Sequence, residues 1–282
     1  MKPGRKIGFI GAGNMGDAIT GALIQAEIFS PPMIYMSDIS QDRLNTLRET
    51  YGIQTMNDNV RLFSECDIVI LAVKPQQMAQ VLSEIAGRKT YGISGRKLVV
   101  SIAAGIPIQK IEGLLYPPLD QVARKNLPII RVMPNTPSLV LAGISGMSAN
   151  QNAVPEDMEI CRAILEAMGK VVEFEEGKLN AVTALSGSGP AYVFYMTEAM
   201  TEGGISAGLE PADAAELTLA TLKGAVKLME ERKESPESLR RKVTSPGGTT
   251  EAALKVMKAR DFKQIITDAI LAAARRSEEL SV

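Results

Sequence analysis

Short apolar runs and amphipathic stretches alternate through the first half of the chain. The runs at 6–10, 33–37, 68–73, 98–101 and 129–133 are nearly all apolar and too short for helices, so they predict strands buried on both faces. Between them, 15–26, 41–50, 77–86 and 108–114 carry apolar residues at helical spacing. Such strands, separated by amphipathic helices, predict a parallel sheet with helices on both faces. Residues 143–148 and 170–174 add two strand candidates at the far edge, flanking a helix over 155–167.

After Glu175 the strand signals stop. Segments 191–207, 211–232, 237–243, 249–257 and 262–280 all read as helices, with Pro211 and Pro236 in first turns and Gly203, Gly204 and Gly208 as punctuation. The class changes near 168–176, which predicts an α/β domain over 1–168 and an all-α domain over 169–282. The helical half is rich in small and apolar residues, as at 214–220, 224–226 and 269–274. One thin helical layer cannot bury that surface within a single chain, so dimerisation through it is expected.

Composition narrows the chemistry. The chain has 282 residues, 45% of them hydrophobic and 22% charged, which suits a soluble globular protein with a sizeable core. A net charge of −1 offers no basic excess for phosphate backbones, so nucleic acid is not an expected partner. The two cysteines, Cys66 and Cys161, are too few for a disulfide framework or a metal site, and they read as buried small hydrophobes in a reducing, cytoplasmic setting. The opening from Lys2 to Lys6 and the apolar residues after it resemble a signal peptide, but the run is too short and passes straight into a glycine turn. No run approaches the ~20 apolar residues that span a bilayer, so no membrane partner is expected. Histidine is absent altogether. A histidine acid, a Ser-His dyad and a histidine-held metal are thereby excluded.

Three constellations carry candidate chemistry. Gly11-Ala12-Gly13-Asn14-Met15-Gly16 is a G-x-G-x-x-G between a predicted strand and a predicted helix, and Asp38 ends the next strand. Glycines there permit a tight turn, close approach of backbone to a pyrophosphate and close helix packing, while the helix end supplies free N–H groups. The first domain is therefore expected to be a Rossmann-type dinucleotide-binding domain. Ala72-Val73-Lys74-Pro75 lies at the carboxyl end of a strand, as do Ser101-Ile102-Ala103-Ala104-Gly105 and Met133-Pro134-Asn135-Thr136-Pro137. Ligands of open α/β sheets bind outside such ends. The third constellation is in the helical half: Thr244-Ser245-Pro246-Gly247-Gly248-Thr249-Thr250 before a helix. Two readings of it stay open: an anion cradle of N–H groups and hydroxyls, or a loop in which Thr249 or Thr250 simply caps the helix.

These motifs, with Leu185-Ser186-Gly187-Ser188-Gly189-Pro190-Ala191-Tyr192 and above all the stretch from Leu239 to Lys258, resemble pyrroline-5-carboxylate reductase over essentially the whole chain. The resemblance implies NAD(P)H-dependent reduction of 1-pyrroline-5-carboxylate, a small cyclic imine, to L-proline. It implies a Rossmann domain followed by an all-α dimerisation domain, assembled as a homodimer or a larger ring such as a decamer. Thr250 would hydrogen-bond the ring nitrogen while Ser245, Gly247, Gly248 and Thr249 hold the carboxylate, and Glu176 would approach the substrate, with an exposed interdomain carboxylate as the alternative reading of that residue. Cofactor contacts would fall on Gly11 to Gly16, Asn59, Ala72, Val73, Lys74, Pro75, Ile102, Ala103 and Ala104. No metal is implied.

Asp38 bears on the choice of cofactor. It stands 22 residues after Gly16, close to the ~20 at which an acidic residue takes the ribose 2′-OH, and it would repel a 2′-phosphate. Many chains resembling the family carry arginine here, where this chain has Ile39. Against an NADH preference stand Ser37, Ser40 and Arg43, all able to serve a phosphate, and the alternative that Asp38 only caps the next helix. The expectation is that both cofactors work and NADH is preferred. Two competing functions are weaker. A 3-hydroxyacid dehydrogenase would place a catalytic lysine on the helix opening the second domain, and none occurs there until Lys223. A non-enzymatic dinucleotide sensor would have no use for the loop at 244–250.

Overall fold

The computed structural model describes residues 4–281, so Lys2 and Pro3 of the opening segment lie outside the described residues. A single eight-stranded sheet dominates the first half. Its strands are β1 Ile7–Ile10, β2 Ile34–Ser37, β3 Gln54–Met56, β4 Ile68–Leu71, β5 Leu98–Ser101, β6 Ile129–Met133, β7 Gly143–Ala149 and β8 Gly169–Glu173. They lie in the order β3-β2-β1-β4-β5-β6-β7-β8. All neighbours are parallel except β6 and β7. The expected Rossmann-type α/β domain is what the chain builds.

The helices in this half are α1 Asn14–Gln25, α2 Gln41–Tyr51, α3 Asn59–Glu65, α4 Pro75–Ala86, α5 Ile108–Leu115, α6 Gln121–Lys125, α7 Pro155–Glu166 and the single turn α8 Leu179–Val182. Local chemistry sets their ends. Ser40 accepts the Arg43 N–H at the start of α2, and Gly52 takes the left-handed position after it. Asp58 accepts two N–H groups at the start of α3. Pro75 opens α4, where no N–H is needed. The sheet separates two cores. Phe9, Ile34, Met36, Ile70 and Val100 meet α1, α2 and α7 on one face. Ile10, Val69, Leu71 and Val99 meet α3, α4 and α5 on the other.

Agreement with the sequence pattern is close for the long elements. Three short ones, β3, α3 and α6, carry too few residues to show a period. The turn Thr183–Gly187 is a π-helix running into the next helix, a local form with no signature in the hydrophobic pattern.

Contacts divide the described residues into two compact units, 4–188 with 273–281, and Gly189–Ala272. The first unit thus runs past residue 168: β8 pairs with β7, and Leu179 is fully buried. It also includes the last turns, where Ser277 donates to Asn180 at 2.9 Å. The second unit holds α9 Gly189–Ser206, α10 Pro211–Arg232, α11 Pro236–Lys242, α12 Thr249–Ala259 and the first turns of α13 Phe262–Ser281. α9 and α10 pack closely where Gly204 meets Ala214; a Cβ on Gly204 would lie 3.2 Å from that of Ala214. Only Ala214 and Thr218 are buried in this unit, while Phe194, Tyr195, Leu219 and Ile265 are exposed. A unit of 84 residues with two buried side chains has no core of its own. No helix among the described residues is long and apolar enough to cross a membrane.

Candidate active site

At the carboxyl edge of the sheet, each glycine of the first motif meets a different constraint. Gly11 has φ +107, and a Cβ there would lie 2.7 Å from the backbone of Ala72. Its N–H donates to the Ser37 carbonyl at 2.8 Å, which ties the turn between β1 and α1 to the end of β2. A Cβ on Gly16 would sit 2.9 Å from the Gly11 carbonyl, so α1 can approach the turn only without one. Gly13 is exposed with open space where a Cβ would be, and it precedes α1 with no side chain capping that helix. The N–H groups of Asn14 and Met15, in the first turn of α1, have no carbonyl within the helix to donate to, the form an anion site takes at a helix start.

Asp38 does not cap α2; Ser40 does. The Asp38 carboxylate instead accepts the Ala12 N–H at 2.7 Å and the Ser40 N–H at 2.9 Å, so it is fixed beside the glycine turn. Arg43 reaches the same place. It donates to the Ala12 carbonyl at 2.9 Å and pairs with Asp17 at 2.6 Å. Tyr51 donates to the other Asp17 oxygen at 2.7 Å, and its own burial, with Asp17 beside it, pushes its phenol up to about 12. Ser37 is buried and donates to the Asn59 side chain at 2.7 Å, so its hydroxyl is committed inside the fold. That bond places Asn59 against the end of β2.

The neighbouring strand ends align with this turn. Ala72 and Val73 are half-buried, Lys74 is exposed and Pro75 starts α4. Ile102 donates to the Leu71 carbonyl at 3.1 Å, bringing its loop alongside. Of its neighbours, Ala103 turns its methyl into the core while Ala104 is exposed, so Ala103 can offer a ligand only backbone. At the end of β6, Asn135 is buried; it accepts the Ile144 N–H and donates to the Ser186 carbonyl of the π turn. Glu176 is half-buried, and its Oε1 accepts the Ile108 N–H at 2.7 Å and pairs with Arg131 at 3.2 Å.

In the helical unit, Gly248 occupies the cap of α12, with no side-chain hydrogen bond there. Neither Thr249 nor Thr250 is the cap. Gly248 donates to the Ser245 carbonyl at 3.0 Å, with Pro246 and Gly247 between them. Gly247 has φ +72, as the third residue of a type II turn requires. Glu251 reaches back to the Gly247 N–H at 2.9 Å and is balanced by Lys255 at 3.5 Å. Ser245 and Thr249 are exposed and Thr250 half-buried. The result is a braced turn leading into an uncapped helix start.

The chain is 40% identical over 278 residues to a pyrroline-5-carboxylate reductase of Synechocystis, covering 98% of each sequence. It belongs to the pyrroline-5-carboxylate reductase family. The family pattern described as pyrroline-5-carboxylate reductase dimerisation matches residues 176–280, and that described as NADP oxidoreductase, coenzyme F420-dependent, matches 6–105. Among solved structures, the pyrroline-5-carboxylate reductase of Coxiella burnetii superposes with a TM-score of 0.86 at 36% identity, covering 99% of both chains. The Plasmodium falciparum pyrroline carboxylate reductase, solved with NADP bound, gives 0.85 at 30% identity, again with 99% of both chains.

Two residues beside the Ala12 turn, Asp17 and Tyr51, left no signal in the sequence: with Arg43, which the sequence offers only as a phosphate partner, they converge from two helices, and no spacing rule links the three. Arg131 did leave a signal, a lone charge within Ile-Ile-Arg-Val-Met. Both cysteines are buried and free, and burial pushes each thiol up to about 12. Among the described residues, no group of three or more Cys, Asp or Glu is placed to hold a metal.

Proposed function

We propose that this chain reduces 1-pyrroline-5-carboxylate to L-proline, the last step of proline biosynthesis, with NADH or NADPH as reductant. The open approach at Gly13 fits a dinucleotide pyrophosphate, which would rest on the N–H groups at the start of α1. The rest of the cofactor would lie along Ala72 to Pro75 and Ile102 to Ala104, with Asp38 and Asn59 serving its adenosine end. When bound, it supplies the hydride.

The chain's own residues bind and orient the imine. The Ser245–Thr249 turn takes the carboxylate through the Ser245 and Thr249 hydroxyls and the first N–H groups of α12; Gly247 and Gly248, whose own N–H groups go to Glu251 and the Ser245 carbonyl, let the backbone come close, and Thr250 holds the ring nitrogen. A protonated imine is already a hydride acceptor. The hydride bonds to the imine carbon, the C=N π pair moves onto nitrogen as its lone pair, and the resulting amine takes its second proton from water. No side chain need act as an acid, which suits a chain without histidine. Orientation of this kind can supply about 7–11 kcal/mol of the barrier.

The observation that carries this reading is the cap of α12. With Gly248 there, both threonine hydroxyls and the first N–H groups of the helix remain available to a ligand. The test is Thr250→Ala beside Thr250→Ser. The alanine variant should lose ~10- to 100-fold in kcat/KM for the imine, about 1.4–2.8 kcal/mol, with dinucleotide binding little changed; the serine variant should recover much of it. Unaltered kinetics in both would remove Thr250 from the site. We further propose a cytoplasmic homodimer, or a larger ring such as a decamer, in which the helical unit provides the contact. Its near lack of buried side chains supports that arrangement.

A further inference from the structure

We propose that Arg131 and Glu176 form a clamp that positions the loop 102–104, and that Glu176 affects the reaction through this loop and not by touching the imine. The proposal rests on the reading of that loop as a dinucleotide contact.

An arginine in the middle of a buried strand needs a reason. Arg131 is 4% exposed, and a buried guanidinium is tolerated only when it is paired. Its partner is Glu176, at 3.2 Å. The same carboxylate oxygen accepts the N–H of Ile108, the first residue of α5, where a helix start also favours negative charge. One oxygen thus joins β6 to the far end of the β5–α5 connection.

The near end of that connection is fixed as well. Ser101 is paired in register with Arg131, and Ile102 donates to the Leu71 carbonyl. In the middle, a Cβ on Gly105 would lie 3.2 Å from that of Leu280, so the loop is backed by the last turn of α13. Ala104 is left as the exposed tip. Releasing Ile108 frees one end of this short connection, and the backbone at 102–104 is what moves. Glu176 is only partly exposed, and two donors already hold its Oε1. That arrangement suits an anchor better than a substrate contact.

The experiment compares Glu176→Ala, Glu176→Gln and Arg131→Met in the full chain, measuring KM for dinucleotide and imine separately and dinucleotide affinity by fluorescence titration. Glu176→Ala and Arg131→Met should weaken dinucleotide binding ~10-fold and lower kcat, with the imine KM within about two-fold of native. Glu176→Gln keeps an acceptor for Ile108 and should recover most of the loss. The double variant Arg131→Met/Glu176→Ala should lose no more than the worse single one, because the two residues act as a unit. A raised imine KM with native dinucleotide affinity in the Glu176 variants would overturn the clamp, as would native behaviour throughout. If Glu176→Ala does not fold, Glu176→Gln beside Arg131→Lys makes the same comparison at smaller amplitude. Ala104→Glu tests the underlying reading: unchanged dinucleotide affinity there would show that the loop is no cofactor contact, whatever the clamp variants do.

Discussion

The glycines of the first turn allow a prediction in which fold and ligand binding separate. In Gly11→Ala, a residue held at φ +107 gains a Cβ, a strain of about 1–3 kcal/mol. The new methyl would also lie 2.7 Å from the Ala72 carbonyl carbon and oxygen and 2.9 Å from the Val73 nitrogen. All three are backbone atoms at the end of a central strand, so no side chain can swing aside. Overpacking of this kind costs about 1–3 kcal/mol more. The sum, about 2–6 kcal/mol, is a large part of a typical stability of ~5–15 kcal/mol, and the apparent Tm should fall by roughly 5–20 °C without any ligand present. Gly13→Ala is the contrast. Its φ is −69, and nothing lies within 4 Å of the added methyl. Its Tm should stay within about 2 °C of native, while dinucleotide affinity falls ~10-fold or more, because the methyl occupies the approach the pyrophosphate needs. Thermal unfolding with and without NADH, paired with fluorescence titration, reads both effects. Equal destabilisation by the two variants would refute the geometric argument, and native dinucleotide affinity in Gly13→Ala would refute the assignment of the turn.

Three further outcomes are expected. NADH should give the higher kcat/KM on the same imine, and Asp38→Ser should narrow the gap by improving NADPH; a tenfold native advantage for NADPH would sink the Asp38 argument. Because Asp38 also braces Ala12, that variant should lose some affinity for both cofactors. The native chain should sediment as a dimer or larger, and Phe194→Glu with Leu219→Glu should shift it toward monomer; an unchanged assembly would place the interface elsewhere. Stability should fall as pH rises from about 9 toward 12, since burial holds the native Cys161 thiol protonated up to about 12 while the unfolded chain ionises it near its ordinary 9.0. There the unfolded state binds fewer protons, giving a slope of up to about −1.4 kcal/mol per pH unit for this thiol. Urea midpoints at pH 8 and 10.5 should show a smaller drop in Cys161→Ala, and an equal drop would refute the assignment.

How much of this was legible in the chain follows from the range of the forces involved. Strands such as Leu98–Ser101 and Ile129–Met133, and helices such as Pro211–Arg232, announce themselves because burial imposes a period that local sequence must carry. The glycine turn was legible because its letters fall within six residues, although the Ala72 backbone that forbids a Cβ on Gly11 lies far along the chain. The loop at 244–250 could be found but not decided: an anion cradle and a threonine-capped turn have the same letters. Only the backbone shows that the cap falls on Gly248 and that Glu251 braces the turn from behind. Asp38 posed the same problem, and the structure moved the cap of α2 to Ser40 while giving the Asp38 carboxylate to Ala12. Arg43 with Asp17, and Arg131 with Glu176, were beyond sequence reasoning because these partners stand 26 and 45 positions apart. A charge pair leaves no periodic trace along the chain. Which ionic groups meet is decided when strands and helices pack, and that is a property of the folded chain alone.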